Sequence, residues 1–205
     1  MLATKTRNSG EGLSRGGFLN TQGLATVVVF VVIFVFLSIA SPSFLTTTNL
    51  IGLVRQVALL CIVAVGMTFL IIAGGIDLSV GSANAVTGVL CALVVTKLGF
   101  PTAMGVLCGV AAGGLIGLAN GLLVTRINLP PLLATLGMMV ALRGSAFLIT
   151  GGHTIYGVPP EYLWLGRGYV AGVVPIDVIV MIAIFLFYYF LQRMTKLGLY
   201  MYAIG

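Results

Sequence analysis

The 205-residue chain is 60% hydrophobic and 7% charged. Soluble domains carry roughly 25% charged residues, so a water-soluble fold of this length is excluded. The charge of +6 comes from ten basic residues set singly along the chain, which fits membrane topology signals and excludes a phosphate-binding patch for nucleic acid.

Residues 1–22, with Lys5, Arg7 and Arg15 among Ser, Gly and Asn, read as a cytoplasmic N-terminal tail, and 23–205 as one membrane domain. The uncharged run Leu24–Ala40 is the first span. Ser38-Ile39-Ala40 resembles a signal-peptide cleavage site, but the long polar lead and the later spans favour a retained helix. Pro42 stops it. Further spans are expected over about Asn49–Ala73, Leu78–Thr96, Thr102–Val124, Pro130–Thr150 and Val173–Leu191, with a polar loop over 151–171. Spans of around 20 residues at about 1.5 Å per residue match a hydrocarbon core of about 30 Å. The expected fold is all-α: a polytopic transmembrane bundle of about six spans, solvated by membrane lipid. Basic residues near the span ends favour a cytoplasmic N-terminus, with loop 151–171 outside.

The organising stretch is Gly66–Ser82. An apolar run meets the helix-breaking pair Gly74-Gly75, then Asp77, one of four acidic residues, then a second apolar run. Hydrocarbon accepts few carboxylates, and a glycine break beside one suits a discontinuous helix lining a polar cavity. Asp77 has two readings: a helix N-cap bonded to the Ser79 or Val80 N–H, or a pathway residue. Ser79, Ser82 and Asn84 follow it as polar candidates for the path or its gate. Arg143, about 18 Å into its helix from Pro131, either snorkels to the outer interface or meets a carboxylate or backbone carbonyls facing the cavity.

Gly105, Gly109, Gly113, Gly117 and Gly121 recur every fourth residue of the fourth span. This ridge drifts slowly round the axis and is read as a close-packing seam, with sliding helices as the alternative. Gly66–Gly75 and Gly144–Gly152 share a faint likeness, which chance in a biased composition accounts for. Cys61, Cys91 and Cys108 lie in apolar runs with neither metal nor disulfide spacing, so no metal is expected. With one histidine and four acids, the chain offers no catalytic cluster. An ion-coupled secondary transporter of a small polar solute stays open as the alternative, with Arg143 its one mid-span ionisable candidate.

Met67–Ser82 resembles the signature of the membrane permease subunits of sugar-importing ABC transporters of the ribose, xylose and galactose type. Gly117–Gly121, Pro130–Met139, Arg143-Gly144 leading to Thr150–Gly152, and Thr195–Gly205 match the same family in order. Leu132-Leu133 departs from the family's more usual Phe-Ile. The resemblance implies a non-catalytic subunit of a bacterial inner-membrane importer, forming the path for a monosaccharide or related solute. Its implied partners are an ABC ATPase, a periplasmic or extracellular sugar-binding protein and a second permease subunit, identical or paralogous. Thr195, Gly198, Ala203 and Gly205 fall where the family approaches its ATPase. No Gly-x-x-x-x-Gly-Lys-Ser/Thr loop occurs, so ATP is expected on the partner and no cofactor on this chain. Such permeases run to about twice a 150-residue unit. The chain therefore reads as truncated, incomplete at the start of the docking loop.

Overall fold

The computed structural model describes residues 21–205; the expected cytoplasmic tail, 1–22, lies outside the described residues apart from its last two. The helices are α1 (Thr21–Ala40), α2 (Thr47–Ile72), α3 (Val80–Thr96), α4 (Thr102–Thr125), α5 (Pro131–Thr150), α6 (Pro160–Arg167), α7 (Ile176–Met194) and α8 (Lys196–Ile204). A two-residue antiparallel ribbon, β1 (Tyr169–Val170) with β2 (Val174–Pro175), lies between α6 and α7. Among the described residues five helices, α1, α2, α4, α5 and α7, are long and apolar enough to cross a membrane. The sixth apolar helix, α3, has 17 residues, because the residues just before it form a tight turn instead of its first helical turn.

The chain divides into two units, one ending at Leu50 and one over Ile51–Gly205. In the first, α1 is apolar on all sides, as a lipid-facing helix should be. Phe34 and Phe44 meet edge to face at 5.4 Å where the chain turns after α1. In the second, α3 packs mainly on α4 and α5.

The glycine ridge explains the closest of these contacts. A Cβ at Gly105 would stand 3.0 Å from the Cys91 carbonyl, and one at Gly109 would overlap Cys91 Sγ. Gly113 has room beside Thr87, while Gly117 and Gly121 have no neighbour near enough to resist a Cβ. Each four-residue step advances about 40° round the helix, so from Gly109 to Gly121 the ridge turns by about 120°. Its first half is the seam with α3, and its last two glycines leave it. We expect Gly105→Val to destabilise the protein by about 1–3 kcal/mol through overpacking, whereas Gly114→Val, in open space, leaves the unfolding midpoint in detergent unchanged.

Loop 151–171 differs from its expectation, since it contains α6. Pro160 in the first turn, Glu161 beside it and Arg167 in the last turn suit a short helix and its dipole. Burial raises the pKa of the Tyr162 phenol, which lies against the Cys91 thiol.

At the other end, Thr195 is half-buried and Gly198 buried. A Cβ at Gly198 would collide with the Gln192 carbonyl, so Gly198 serves the α7–α8 turn. Ala203 and Gly205 are exposed, and Gly205 lies close to the backbone of Ile72 and Ala73 at the end of α2.

Candidate functional site

Helix α2 ends because Gly74 takes φ +78°, a left-handed conformation that glycine adopts without a Cβ penalty. The Gly75 N–H then donates to the Leu70 carbonyl at 2.9 Å and the Gly74 N–H to Ile71 at 3.0 Å, closing the helix end. Helix α5 ends in the same way. Gly151 has φ +61°, and the Gly152 N–H donates to Phe147 at 3.1 Å. The faint likeness of these two stretches is thus a shared way of ending a helix. One expectation needs correcting. Helix α2 runs for 26 residues before the glycine pair, about 39 Å, so the break ends a complete crossing and does not interrupt one.

Beyond the break the chain runs without regular secondary structure to Asp77. Its Oδ1 accepts the Ser79 N–H at 2.7 Å and the Ser79 hydroxyl at 2.6 Å. The N-cap of α3 is Ser79, so Asp77 holds the turn before the helix and is not the cap itself. Ser79 has no exposed surface. From α4, Asn120 donates through Nδ2 to Ser79 Oγ at 2.9 Å and, more weakly, to Asp77 Oδ2 at 3.4 Å. From α5, the Thr135 hydroxyl donates to the Pro131 carbonyl at 2.8 Å and lies 3.5 Å from the Ile76 carbonyl.

Asp77, Asn120 and Thr135 border a cavity of about 380 Å³, with Ser79 buried behind them. Gly74, Gly75 and Asp77 form one wall, Gly117, Asn120 and Gly121 a second, and Pro131 and Thr135 a third. The departure of the ridge from α3 is what leaves Gly117 and Gly121 free to line it. Ser82, half-buried, and Asn84, exposed, do not line the cavity. Arg143 is exposed and borders a separate open pocket of about 500 Å³ with Thr150 and His153. Among the described residues, no group of three metal-ligating side chains comes together.

The family described as the branched-chain amino acid transport system / permease component matches residues 49–205, a span that includes every wall of this cavity. The chain belongs to that permease family. The ribose import permease of Bacillus subtilis is 37% identical over 90% of this chain and 57% of its own length. The L-arabinose ABC transporter permease of Azospirillum brasilense is 36% identical over 94% of the chain and 56% of its own length. The galactofuranose transporter permease of Escherichia coli is 37% identical over 76% of the chain and 45% of its own length. The chain thus spans little more than half of the first two. No solved structure matches it. Its family and its five long apolar helices make it a multi-pass membrane protein.

Within this permease chain a second polar cluster lies at the opposite ends of the helices. Arg55, on α2, donates to Asp177 Oδ2 at 3.1 Å and to the carbonyls of Gly166, Arg167 and Gly168 at 2.7, 2.8 and 3.2 Å. Its guanidinium also stacks over Tyr169, 4.8 Å from the ring centre. Arg55 thereby closes the C-terminal end of α6 and ties it to the first turn of α7.

In the sequence Arg55 is one of the basic residues near a span end, and neither Asn120 nor Thr135 stands out as a site residue. Asn120 had a signal: a carboxamide near the end of an otherwise apolar helix. Thr135 had none, because its hydroxyl also serves the helix turn before it, as many membrane threonines do.

Proposed function

We infer that this chain builds part of the solute pathway of an ATP-driven sugar importer in a bacterial inner membrane. The observation that carries this is the cavity at the end of α2. Its walls come from stretches shared with the permease family, and its polar groups suit a neutral, polyhydroxylated solute. The relatives named for ribose, L-arabinose and galactofuranose favour a monosaccharide. A separate ABC ATPase supplies the drive by hydrolysing ATP, a sugar-binding protein delivers solute from outside, and a second permease subunit completes the path.

With the N-terminus in the cytoplasm, alternation of the spans puts the ends of α2 and α4 and the starts of α3 and α5 at the cytoplasmic end. The cavity then lies on the exit side, at the same end as α8. The Arg55 cluster lies at the outer end, where the binding protein arrives. A cysteine at Gly157 should react with an impermeant thiol reagent added outside intact cells, and one at Lys196 should not. The opposite labelling would invert the topology.

The functional test is uptake of radiolabelled ribose, L-arabinose, galactose and fructose by the full-length protein with its partners in proteoliposomes. Uptake of at least one, dependent on internal ATP, is the expected result. Uptake that needs an ion gradient and no ATP would replace this reading with the ion-coupled one.

A further inference from the structure

Asn120 is 6% exposed, and its Oδ1 is the only side-chain nitrogen or oxygen among the described residues buried without a hydrogen-bond partner. Leaving such an acceptor unpaired carries a heavy desolvation penalty. A half-turn of the amide would normally remove so large a penalty. Here its neighbours forbid the turn.

Asp77, as a carboxylate, only accepts. Ser79 has a single hydroxyl proton, and at 2.6 Å that proton is committed to Asp77 Oδ1. Ser79 Oγ therefore presents a lone pair to Asn120, and Asp77 Oδ2 presents another. Both need an N–H, so Nδ2 must face them and Oδ1 must face away. The charge on Asp77 thus fixes, through Ser79, which end of a neutral amide is left over. The leftover end is an acceptor, on a residue that lines the cavity.

We propose that Asn120 Oδ1 is a binding point for a hydroxyl of the transported sugar, oriented by Asp77 and Ser79 and occluded in the conformation described here. The inference rests on the permease reading above. Water cannot touch Oδ1 in this arrangement, so the hydroxyl reaches it in a conformation where α4 and α5, which share the cavity wall, move apart. A state that pairs the orphan acceptor with a sugar hydroxyl recovers the hydrogen bond that this state lacks. A neutral donor fits better than a cation. Asp77 already has the Ser79 N–H and O–H on one oxygen and the Asn120 amide near the other. The site thereby selects for O–H groups without holding the solute as an ion pair would.

The test uses the purified full-length permease with its ATPase in nanodiscs, without binding protein, so that discrimination by the binding protein plays no part. Equilibrium dialysis with radiolabelled ribose, L-arabinose, galactose and fructose, with and without ATP, identifies a bound sugar. Its monodeoxy analogues then compete. One analogue should compete at least tenfold more weakly than the parent sugar, because it lacks the donated proton. In Asn120→Leu that gap should shrink below threefold. Ser79→Ala, which leaves Asn120 in place but frees its amide to turn, should shrink it in the same direction, and it serves if the leucine variant does not assemble. A well-assembled Asn120→Leu that keeps the full gap overturns the proposal. So does a wild-type protein that treats all the analogues alike, or one that binds no sugar in either nucleotide state while the complete transporter imports normally. In those cases the permease reading stands; it falls if the complete wild-type transporter imports no sugar, or imports it on an ion gradient without ATP.

Discussion

Arg55→Ala should destabilise the protein by about 3–5 kcal/mol, the usual cost of removing one partner from a buried ion pair. Asp177 is buried and Arg55 nearly so, with side chains 8% and 15% exposed. Alanine would leave the Asp177 carboxylate without its cation and the Gly166, Arg167 and Gly168 carbonyls without their shared donor. Arg55→Lys should recover only part of the loss. A compact ammonium cannot span a carboxylate and three carbonyls as a planar fork does, nor stack as well on Tyr169. The double variant Arg55→Ala with Asp177→Asn should cost clearly less than the sum of the single changes, because neither then leaves an unpaired charge. Unfolding midpoints of the wild type, Arg55→Ala, Arg55→Lys, Asp177→Asn and the double variant in detergent check this. A loss below about 1 kcal/mol for Arg55→Ala would mean that the pair behaves as an exposed one.

Asp77→Asn should assemble normally and import sugar at least tenfold more slowly. The substituted side chain keeps an oxygen for the Ser79 N–H and hydroxyl, so the turn before α3 survives, and Asn serves such turns about as well as Asp. What disappears is the charge, and with it the second acceptor that faces Asn120 Nδ2 at 3.4 Å. An NH₂ group at that position would oppose another NH₂ group, and the amide of Asn120 would lose its enforced orientation. Uptake in proteoliposomes, alongside the yield of assembled complex, separates the two roles. Near-normal uptake would leave Asp77 as a turn residue and nothing more.

Much of this fold was legible because membrane spans are written in composition. The ends of α4 and α5 fall within a residue of where Arg126, Pro130 and Gly151 put them. Helix α6 was not legible. Eight residues with a mixed pattern inside a polar loop carry too little periodicity to stand out. The site was legible in its backbone, since Gly74-Gly75 before an isolated Asp77 announces a break with a carboxylate beside it. Its other walls depend on which way α4 has turned by Asn120, and that follows from the contact of Gly105 and Gly109 with Cys91. Spacing every four residues suggested one continuous seam, and only packing shows where it ends. Arg55 and Asp177 lie 122 positions apart, and no local pattern joins them.

A single cysteine in the cavity wall tests the central claim most directly. Gly121 lines the cavity and has room for a side chain. Gly121→Cys, in a full-length permease with Cys61, Cys91 and Cys108 replaced by alanine, should therefore import sugar before modification. Reaction with a bulky thiol reagent from the cytoplasmic side should abolish that import, and the transported sugar should slow the reaction. Full import by the fully modified protein would contradict the account, because solute would then be passing somewhere other than the cavity beside Asp77.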